Sequence, residues 1–276
     1  MWSALLSLAL AATPDVDDSM LQSTERPVAV RLSAEVGFLG AISHTLQVGS
    51  DGTDVRIPKE LGQDVLYPFV RFQTDLDVGR ARRHTVAFLY QPLDLRSTVA
   101  PSAPLQVGDV TFPSGRGLDF RYGFSFWRTS WLYDLAADPD REVALGLGLQ
   151  IRNANIVYSA LDGSRVVASR NIGPVPLLAG RARQPLGADG WVGVEMQGFW
   201  APIRLLNGSG SDVEGAIADG SVKLGLSRPG GVDGWLALRY IGGGAVGTSS
   251  NADPFTDGYT KNWLHFAALS IGAGLR

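Results

Sequence analysis

The chain of 276 residues contains no cysteine and only three histidines. Without cysteine no disulfide can form, so hydrogen bonding and packing must supply the stability of the fold. Zinc sites draw mainly on thiolate and imidazole ligands, and the sequence is poor in both. We therefore predict neither a metal site nor a cofactor.

Charged residues are also scarce, at 18% of the chain, and the net charge is −3. A typical soluble domain carries about 25% charged residues. The slightly acidic balance offers no basic face for a polyanion. We expect no nucleic-acid partner.

Beyond the N-terminus the sequence lacks any run of 18 apolar residues, which excludes a helical membrane protein. Hydrophobic residues nevertheless make up 45% of the chain, and the mean hydropathy is +0.06. A chain can be apolar in sum without apolar runs if hydrophobic and polar residues alternate. Such alternation is typical of transmembrane β-barrels.

Residues 1–12 are apolar and include a small-x-small motif, Ala9-Leu10-Ala11. This pattern predicts a secretory signal peptide at 1–12, followed by a periplasmic segment at 13–27 and a barrel domain at 28–276. A buried N-terminal helix is the alternative interpretation of the first segment.

The alternation is clearest from Val28 to Phe38, where apolar side chains occupy the even positions and Arg31 and Glu35 the odd ones. A period of two places the two sets on opposite faces of a strand. In a barrel the apolar set faces lipid and the other set faces the lumen. The same pattern, with the same expected orientation, recurs at 118–126, 143–151, 192–196, 222–226 and 269–275.

These patterns predict an all-β fold, a transmembrane up-and-down antiparallel barrel of about ten strands. Another hairpin at 41–58 would make the number twelve. Eight aromatic residues near predicted strand ends are candidates for interfacial girdles. The ten predicted strands are 28–39, 63–78, 83–96, 117–135, 141–161, 164–184, 190–206, 215–228, 232–246 and 263–275, and the girdle candidates are Trp127, Trp131, Tyr133, Trp191, Trp200, Trp235, Tyr240 and Trp263.

The polar faces of these strands favour a membrane barrel over a soluble sandwich. They mix glycine, serine and charges of both signs, and only Lys223 and Lys261 follow residue 60 among the lysines. A solvated face would carry many more lysine and glutamate residues. A soluble, lipocalin-like periplasmic binder stays as the weaker alternative.

Charged residues on the lumen faces should pair, because an isolated charge in a narrow interior is costly. If space remains in the lumen, the surplus of arginine favours anionic solutes. The predicted lumen charge network consists of Arg31, Glu35, Arg71, Asp119, Arg121, Arg152, Arg181, Arg183, Glu195, Lys223 and Arg239.

We assign no catalytic residue. His44 is the best candidate, since it lies beyond the first predicted strand near the extracellular rim, but an ordinary interfacial or hydrogen-bonded histidine is the preferred interpretation. Its neighbour Ser43 faces the other way in a regular strand and cannot pair with it. His265 and Ser270 are likewise separated by an odd spacing. Asp75 and Asp77 share a face, and we expect them to form ion pairs at the periplasmic mouth rather than a general base.

Several segments resemble a group of uncharacterised Gram-negative outer-membrane barrel proteins: Ser43–Gly49, Tyr122–Phe124 with Trp127 and Arg128, Gln150–Ala154, Gly173–Leu177 and Arg239–Ala245. The resemblance runs from about residue 30 over most of the chain. It implies location in the outer membrane, contact with membrane lipids and lipopolysaccharide, and insertion by the barrel-assembly machinery. It carries over no catalytic residue.

Two functions follow as hypotheses. The first is a non-enzymatic barrel with a narrow, charge-lined lumen, acting as a structural element or a pore for small solutes. The alternative is a hydrolase at the outer rim that acts on lipid A, phospholipid or peptide.

Overall fold

A computed structural model of the protein describes residues 27–79, 81–136, 138, 140–202, 212–248 and 257–275. The predicted signal peptide at 1–12 and the segment 13–26 lie outside the described residues. Among the residues described, no helix has the length and apolar character needed to cross a membrane.

Ten long strands form the wall of the molecule, each antiparallel to its neighbours. The last strand pairs with the first over most of its length, so the sheet closes on itself. The prediction of a ten-stranded antiparallel barrel is therefore confirmed. The wall strands are β1 (Val28–Val48), β3 (Tyr67–Val78), β4 (His84–Gln91), β8 (Leu118–Asp134), β9 (Glu142–Ala160), β10 (Val166–Leu186), β11 (Gly190–Pro202), β12 (Asp212–Arg228), β13 (Val232–Thr248) and β14 (Tyr259–Leu275).

The short elements all lie at one end of the barrel: β2 (Val55–Arg56), α1 (Ile57–Glu60), β5 (Asp94–Val99), β6 (Leu105–Val107) and β7 (Val110–Phe112). β5 pairs with the upper part of β8, and β6 and β7 form a separate hairpin. This is the end with the longer connections, which we take as extracellular. The segment 41–58 does not form a further spanning hairpin, because β1 continues through it to Val48.

A band of apolar side chains covers the outer surface of the lower barrel. Val30 is 37% exposed, and Leu147 and Leu224 are each 59% exposed. They face outward, as predicted, while their neighbours in sequence face the lumen. A barrel with an apolar exterior and a polar interior is the arrangement that a bilayer requires.

The upper half of β8 has the opposite orientation to the one predicted. Leu118, Phe120 and Tyr122 are buried inside the barrel, and Asp119 and Arg121 lie on the outer face. Here the wall rises beyond the apolar band, so its outer face meets water and its inner face can be apolar. The predicted period of two is confirmed here. The prediction that lipid lies outside this part of the wall is wrong.

The interior of this upper half is filled by an extracellular apolar core. Wall strands and short elements both contribute side chains, so the connections between strands fold into the barrel mouth. The core includes Leu39, Leu46, Val55, Ile57, Leu61, Leu95, Leu105, Val107, Phe112, Leu118, Phe120, Tyr122, Ile156, Tyr158, Leu264 and Phe266.

Candidate functional site

Below the apolar core, the described part of the interior contains an ionic layer of seven cations and seven anions. Each of these side chains has a partner of opposite charge within 4.0 Å. The members are Arg31, Arg71, Arg128, Arg181, Arg183, Lys223 and Arg239 with Glu35, Asp75, Asp77, Glu142, Glu195, Asp219 and Asp233.

Asp219 on β12 is the centre of this layer. Its carboxylate accepts hydrogen bonds from Arg71 Nη1 at 3.0 Å, Arg128 Nη1 at 2.9 Å and Arg239 Nη1 at 2.6 Å. The three arginines come from β3, β8 and β13, so one carboxylate joins strands from across the barrel. All four side chains are buried. Such charge-assisted bonds are the strong class of hydrogen bond and fix the cross-section of the lumen.

Lys223 and Arg239 both bind the remaining carboxylates at this level. Lys223 Nζ lies 3.0 Å from Glu35 and 2.8 Å from Glu195. Arg239 Nη2 lies 3.3 Å from Glu35 and 3.5 Å from Glu195. The Ser270 hydroxyl also donates to Glu35, at 3.2 Å.

Three glutamine side chains complete the layer by accepting bonds that the carboxylates leave open. Arg128 donates to Gln150 through Nε at 3.0 Å and Nη2 at 2.6 Å, and to Gln197 through Nη1 at 2.6 Å. Arg71 donates to Gln91 at 3.3 Å. The neutral amides spread the hydrogen bonding without adding charge.

Nearer the periplasm the pairs become more accessible. Arg31 binds Asp77 at 2.7 Å, and Arg181 binds Asp75 at 2.6 Å and Glu142 at 2.5 Å. A cavity of about 90 Å³ lies among these residues. Its lining extends inward as far as Glu195 and Lys223 and includes no residue of the apolar core.

Trp191 and Trp235 were predicted in the interfacial girdle, but both lie buried inside the periplasmic end of the barrel. Their rings contact charged members of the layer: the Arg183 guanidinium lies 4.0 Å from the Trp191 ring centroid, and Lys223 Nζ lies 5.1 Å from that of Trp235. Aromatic faces attract such cations. The sequence marked them only as aromatics near strand ends, which does not distinguish inside from outside.

The structure brings together eight of the eleven residues predicted to line the lumen. Asp119 and Arg121 lie instead on the extracellular outer wall, where Asp119 accepts a bond from Thr98 at 2.6 Å and Arg121 donates to Asp94 at 2.8 Å. The side chain of Arg152 is outside the described part of the chain. The eight are Arg31, Glu35, Arg71, Arg181, Arg183, Glu195, Lys223 and Arg239.

The strand patterns missed Arg128, Glu142, Asp219 and Asp233. Asp219 has the same parity as Lys223 on β12, so extending the pattern by two residues would have found it. Arg128 has the opposite parity to Trp127 and Trp131, so it faces the lumen when those rings face lipid. The wrong prediction of which face of β8 meets lipid concealed this.

Asp75 and Asp77 do form ion pairs, and their partners Arg31 and Arg181 lie inside the barrel. With these carboxylates included, the described interior charges balance at seven of each sign. The surplus of arginine predicted to favour anionic solutes is therefore not present among the described residues.

His44 is buried in the extracellular apolar core. Its Nδ1 lies 2.9 Å from Gln63 Oε1, and its ring meets those of Tyr122 and Phe266 edge-on at 4.5 Å and 5.8 Å between centroids. Within the described residues, no hydrogen bond or ion pair joins it to a serine or a carboxylate. Nor do the described ranges contain a group of three His, Asp or Glu that could hold a metal ion.

The chain matches no protein-family model, and it has no match among curated protein sequences. In structure it is similar to the outer-membrane protease OmpT from Escherichia coli, at 10% identity and a TM-score of 0.51, over 92% of this chain and 99% of that one. The transport unit of the autotransporter AIDA-I from Escherichia coli is similar at 8% identity and a TM-score of 0.40, over 100% and 97% of the two chains.

At 10% identity the likeness to OmpT shows the fold alone. The closed ten-stranded barrel and the apolar band around it belong to an integral protein of the bacterial outer membrane. The narrower resemblance to an uncharacterised group of such barrels stays a prediction.

Proposed function

We propose that the protein is a closed structural barrel, whose lumen holds the wall together and does not carry solutes. The observation that supports this proposal is the filling of the lumen at two successive levels. The ionic layer fills the membrane part, and the apolar core fills the extracellular part.

The ionic layer resists passage because its members bind one another. A solute ion crossing it must separate buried pairs such as Asp219 with Arg128 and Arg239, both within 3.0 Å. Removing one partner from a buried ion pair costs about 3–5 kcal/mol. Passage through several such pairs would be correspondingly slow.

The apolar core resists passage for a different reason. Phe120, Tyr122 and Phe266 are at most 1% exposed, and their neighbours in the core are similarly buried. An ion or polar solute entering this region loses its hydration without gaining hydrogen bonds. The two levels therefore exclude the same solutes by different means.

In this proposal the partners of the protein lie outside the barrel. The exposed band contacts the acyl chains of membrane lipids and lipopolysaccharide, and the barrel-assembly machinery inserts the chain. The extracellular wall and its short elements then stand on a rigid base above the membrane.

Planar-bilayer recording of the purified full-length protein tests the proposal. We expect no conductance steps above the lipid background in potassium chloride, at either polarity. Heat-modifiable migration on a gel, measured on the same preparation, shows that the barrel is folded.

A matched variant replaces residues 101–116 with a short Gly-Ser linker, which removes the β6–β7 hairpin from the core. Because the ionic layer persists, we expect this variant to stay closed as well. Regular conductance steps from the folded wild-type protein would contradict the proposal.

A further inference from the structure

A row of three polar side chains crosses the outer wall where β13, β14 and β1 adjoin. Ser43 on β1 is the direct register partner of His265 on β14. Cβ atoms of directly opposed residues in an antiparallel pair lie about 4.5–5.5 Å apart. The Tyr240 hydroxyl on β13 lies 2.6 Å from His265 Nδ1.

A β-bulge at Ile42 brings Ser43 into this row. The β1–β14 register shifts between Ala41 and Ser43, so Ile42 is the extra residue. Both Ile42 and Ser43 are exposed, whereas the flanking His44 points into the barrel. Bulges recur beside active sites, where they redirect a side chain.

Gly242 allows Tyr240 to reach the histidine. It is the register partner of His265 on β13, and a Cβ atom added at this position would collide with the Tyr240 hydroxyl. Because Gly242 has no side chain, the phenol ring of Tyr240 can lie directly over its backbone. The contact of Tyr240 with His265 is thus built into the wall and does not depend on a chance rotamer.

The row lies at the upper edge of the apolar band. Below it, Leu238 and Leu269 are 62% and 55% exposed. Above it on β14, Lys261 forms an ion pair with Asp54 of the extracellular connection. A bilayer whose hydrocarbon core covers the apolar band would have the ester carbonyls of its outer leaflet at this boundary.

We propose that Ser43, His265 and Tyr240 form a hydrolytic site for the acyl esters of outer-leaflet lipids. In the tautomer whose Nδ1 carries the proton, His265 donates to the Tyr240 oxygen and its Nε2 is free to take a proton. A serine beside a histidine that a third group orients is the arrangement of nucleophilic acyl transfer.

In the first step Ser43 Oγ attacks the ester carbonyl while its proton passes to His265 Nε2. The lipid alkoxide then leaves with that proton, and the acyl group remains on Ser43. In the second step water loses a proton to His265 and attacks the acyl-serine. The products are a fatty acid and the regenerated serine, and Tyr240 acts as the positioning residue.

The site is independent of the closed lumen, because all three side chains lie on the outer wall. A conducting barrel would overturn the proposed structural role and leave the hydrolytic site standing. Failure of the hydrolytic site would leave the closed barrel intact.

The test uses the full-length protein in detergent micelles with a long-chain alkyl fluorophosphonate. Attack by Ser43 forms a P–O bond and expels fluoride, so peptide mass spectrometry locates the label. We expect the label on Ser43 and none on Ser43→Ala. His265→Gln should slow labelling by about 10²–10⁴-fold, the usual contribution of a general base.

His84→Gln is the matched control, because His84 also lies on the outer wall but at the periplasmic end, between Trp131 and Tyr133. It should label at the wild-type rate. Tyr240→Phe should lower kcat for a soluble ester by about tenfold and leave KM unchanged, which is less than the roughly 10²–10⁴-fold expected for the general base itself, because Tyr240 acts through His265. A purely structural role for Tyr240 would not produce that split.

Two substrate arms separate the possible sources of the ester: micelles of phosphatidylethanolamine and purified lipopolysaccharide, each analysed for released fatty acid. Release from either one that stops in Ser43→Ala supports the site and identifies its lipid. The proposal is overturned if neither releases fatty acid, or if labelling of Ser43 persists at the wild-type rate in folded His265→Gln.

Discussion

The two halves of the barrel interior are filled by opposite kinds of side chain. In the membrane half, seven cations and seven anions bind one another around Asp219. In the extracellular half, aromatic and aliphatic residues form an apolar core around Phe120 and Phe266. One continuous wall encloses both.

The difference shows that the interior of each half has the opposite polarity to the medium outside its wall. Where lipid surrounds the wall, its apolar residues face outward and its polar residues must satisfy one another inside. Where water surrounds the wall, charges such as Asp119 face outward and apolar residues can fill the interior. β8 passes through both environments, and its inner face changes from Phe120 to Arg128 along one strand.

The largest effect that we expect comes from removing the central charge of the ionic layer. Asp219→Asn keeps the shape of the side chain but leaves Arg71, Arg128 and Arg239 without their shared carboxylate. Loss of one partner from a buried ion pair costs about 3–5 kcal/mol. Urea unfolding of the protein in lipid vesicles, followed by tryptophan fluorescence, measures the change in free energy of unfolding.

If this half were held together by packing and not by charge, Asp219→Asn would unfold at nearly the wild-type urea concentration. Ser221→Ala on the same strand and the same inner face is the control, since no ion pair depends on it. We expect it to change the stability by less than about 1 kcal/mol.

The second prediction compares leucines on either side of the wall. Leu46 is completely buried in the apolar core, and Leu147 faces the membrane. Leu46→Ala should cost about 2–5 kcal/mol, because it leaves a cavity. Leu147→Ala should cost less, about 1–2 kcal/mol, because lipid chains fill the space and only the transfer free energy is lost.

The same unfolding experiment on both variants checks this difference. Equal losses at the two positions would mean that the extracellular half is not a packed core, and the contrast between the halves would fail.

The smallest effect concerns charge on the extracellular outer wall. Partial burial tends to raise the pKa of Asp94, but hydrogen bonds from Arg121 and Arg96 outweigh it and hold that pKa below its usual value. The ionised Asp94 therefore stabilises the fold at neutral pH. This contribution disappears as the pH falls through the lowered pKa of Asp94 in the folded protein.

Asp94→Asn should remove only about 0.2–1 kcal/mol at pH 7, since exposed ion pairs are weak and screened by salt. Added salt should shrink the difference from wild type further, and acidification should abolish it. A loss of stability as large as that in Asp219→Asn would show that solvent exposure does not explain the difference between the two ion-pair sites.

The alternation in sequence was enough to predict a barrel of about ten strands and most of the strand bounds, but it left twelve strands open. From Val28 to Phe38 and from Val143 to Ile151, residues pointed to the face that the period predicted. These segments cross the bilayer, where the outer medium is apolar at every position. In these segments a period of two therefore places the apolar residues on the outer face.

The candidate sites were less predictable. His44 was read as a rim residue, but the connections fold back over it and bury it beside Tyr122. His265 was set aside because Ser270 lies on the other face, and its true neighbours come from two other strands. No spacing within one strand can indicate a partner such as Ser43, which lies 222 positions away and is turned outward by a bulge.

The sequence by itself determined a barrel of about ten strands with an apolar exterior, because each strand carries its own alternation as a local property. Only the tertiary structure decided where the bilayer ends along each strand, which charges meet in the lumen and which hydroxyl meets which imidazole. Those outcomes depend on register between strands far apart in the chain and on loops that fold into the mouth. Neither the register nor the packing of the loops can be predicted from the pattern of a single segment.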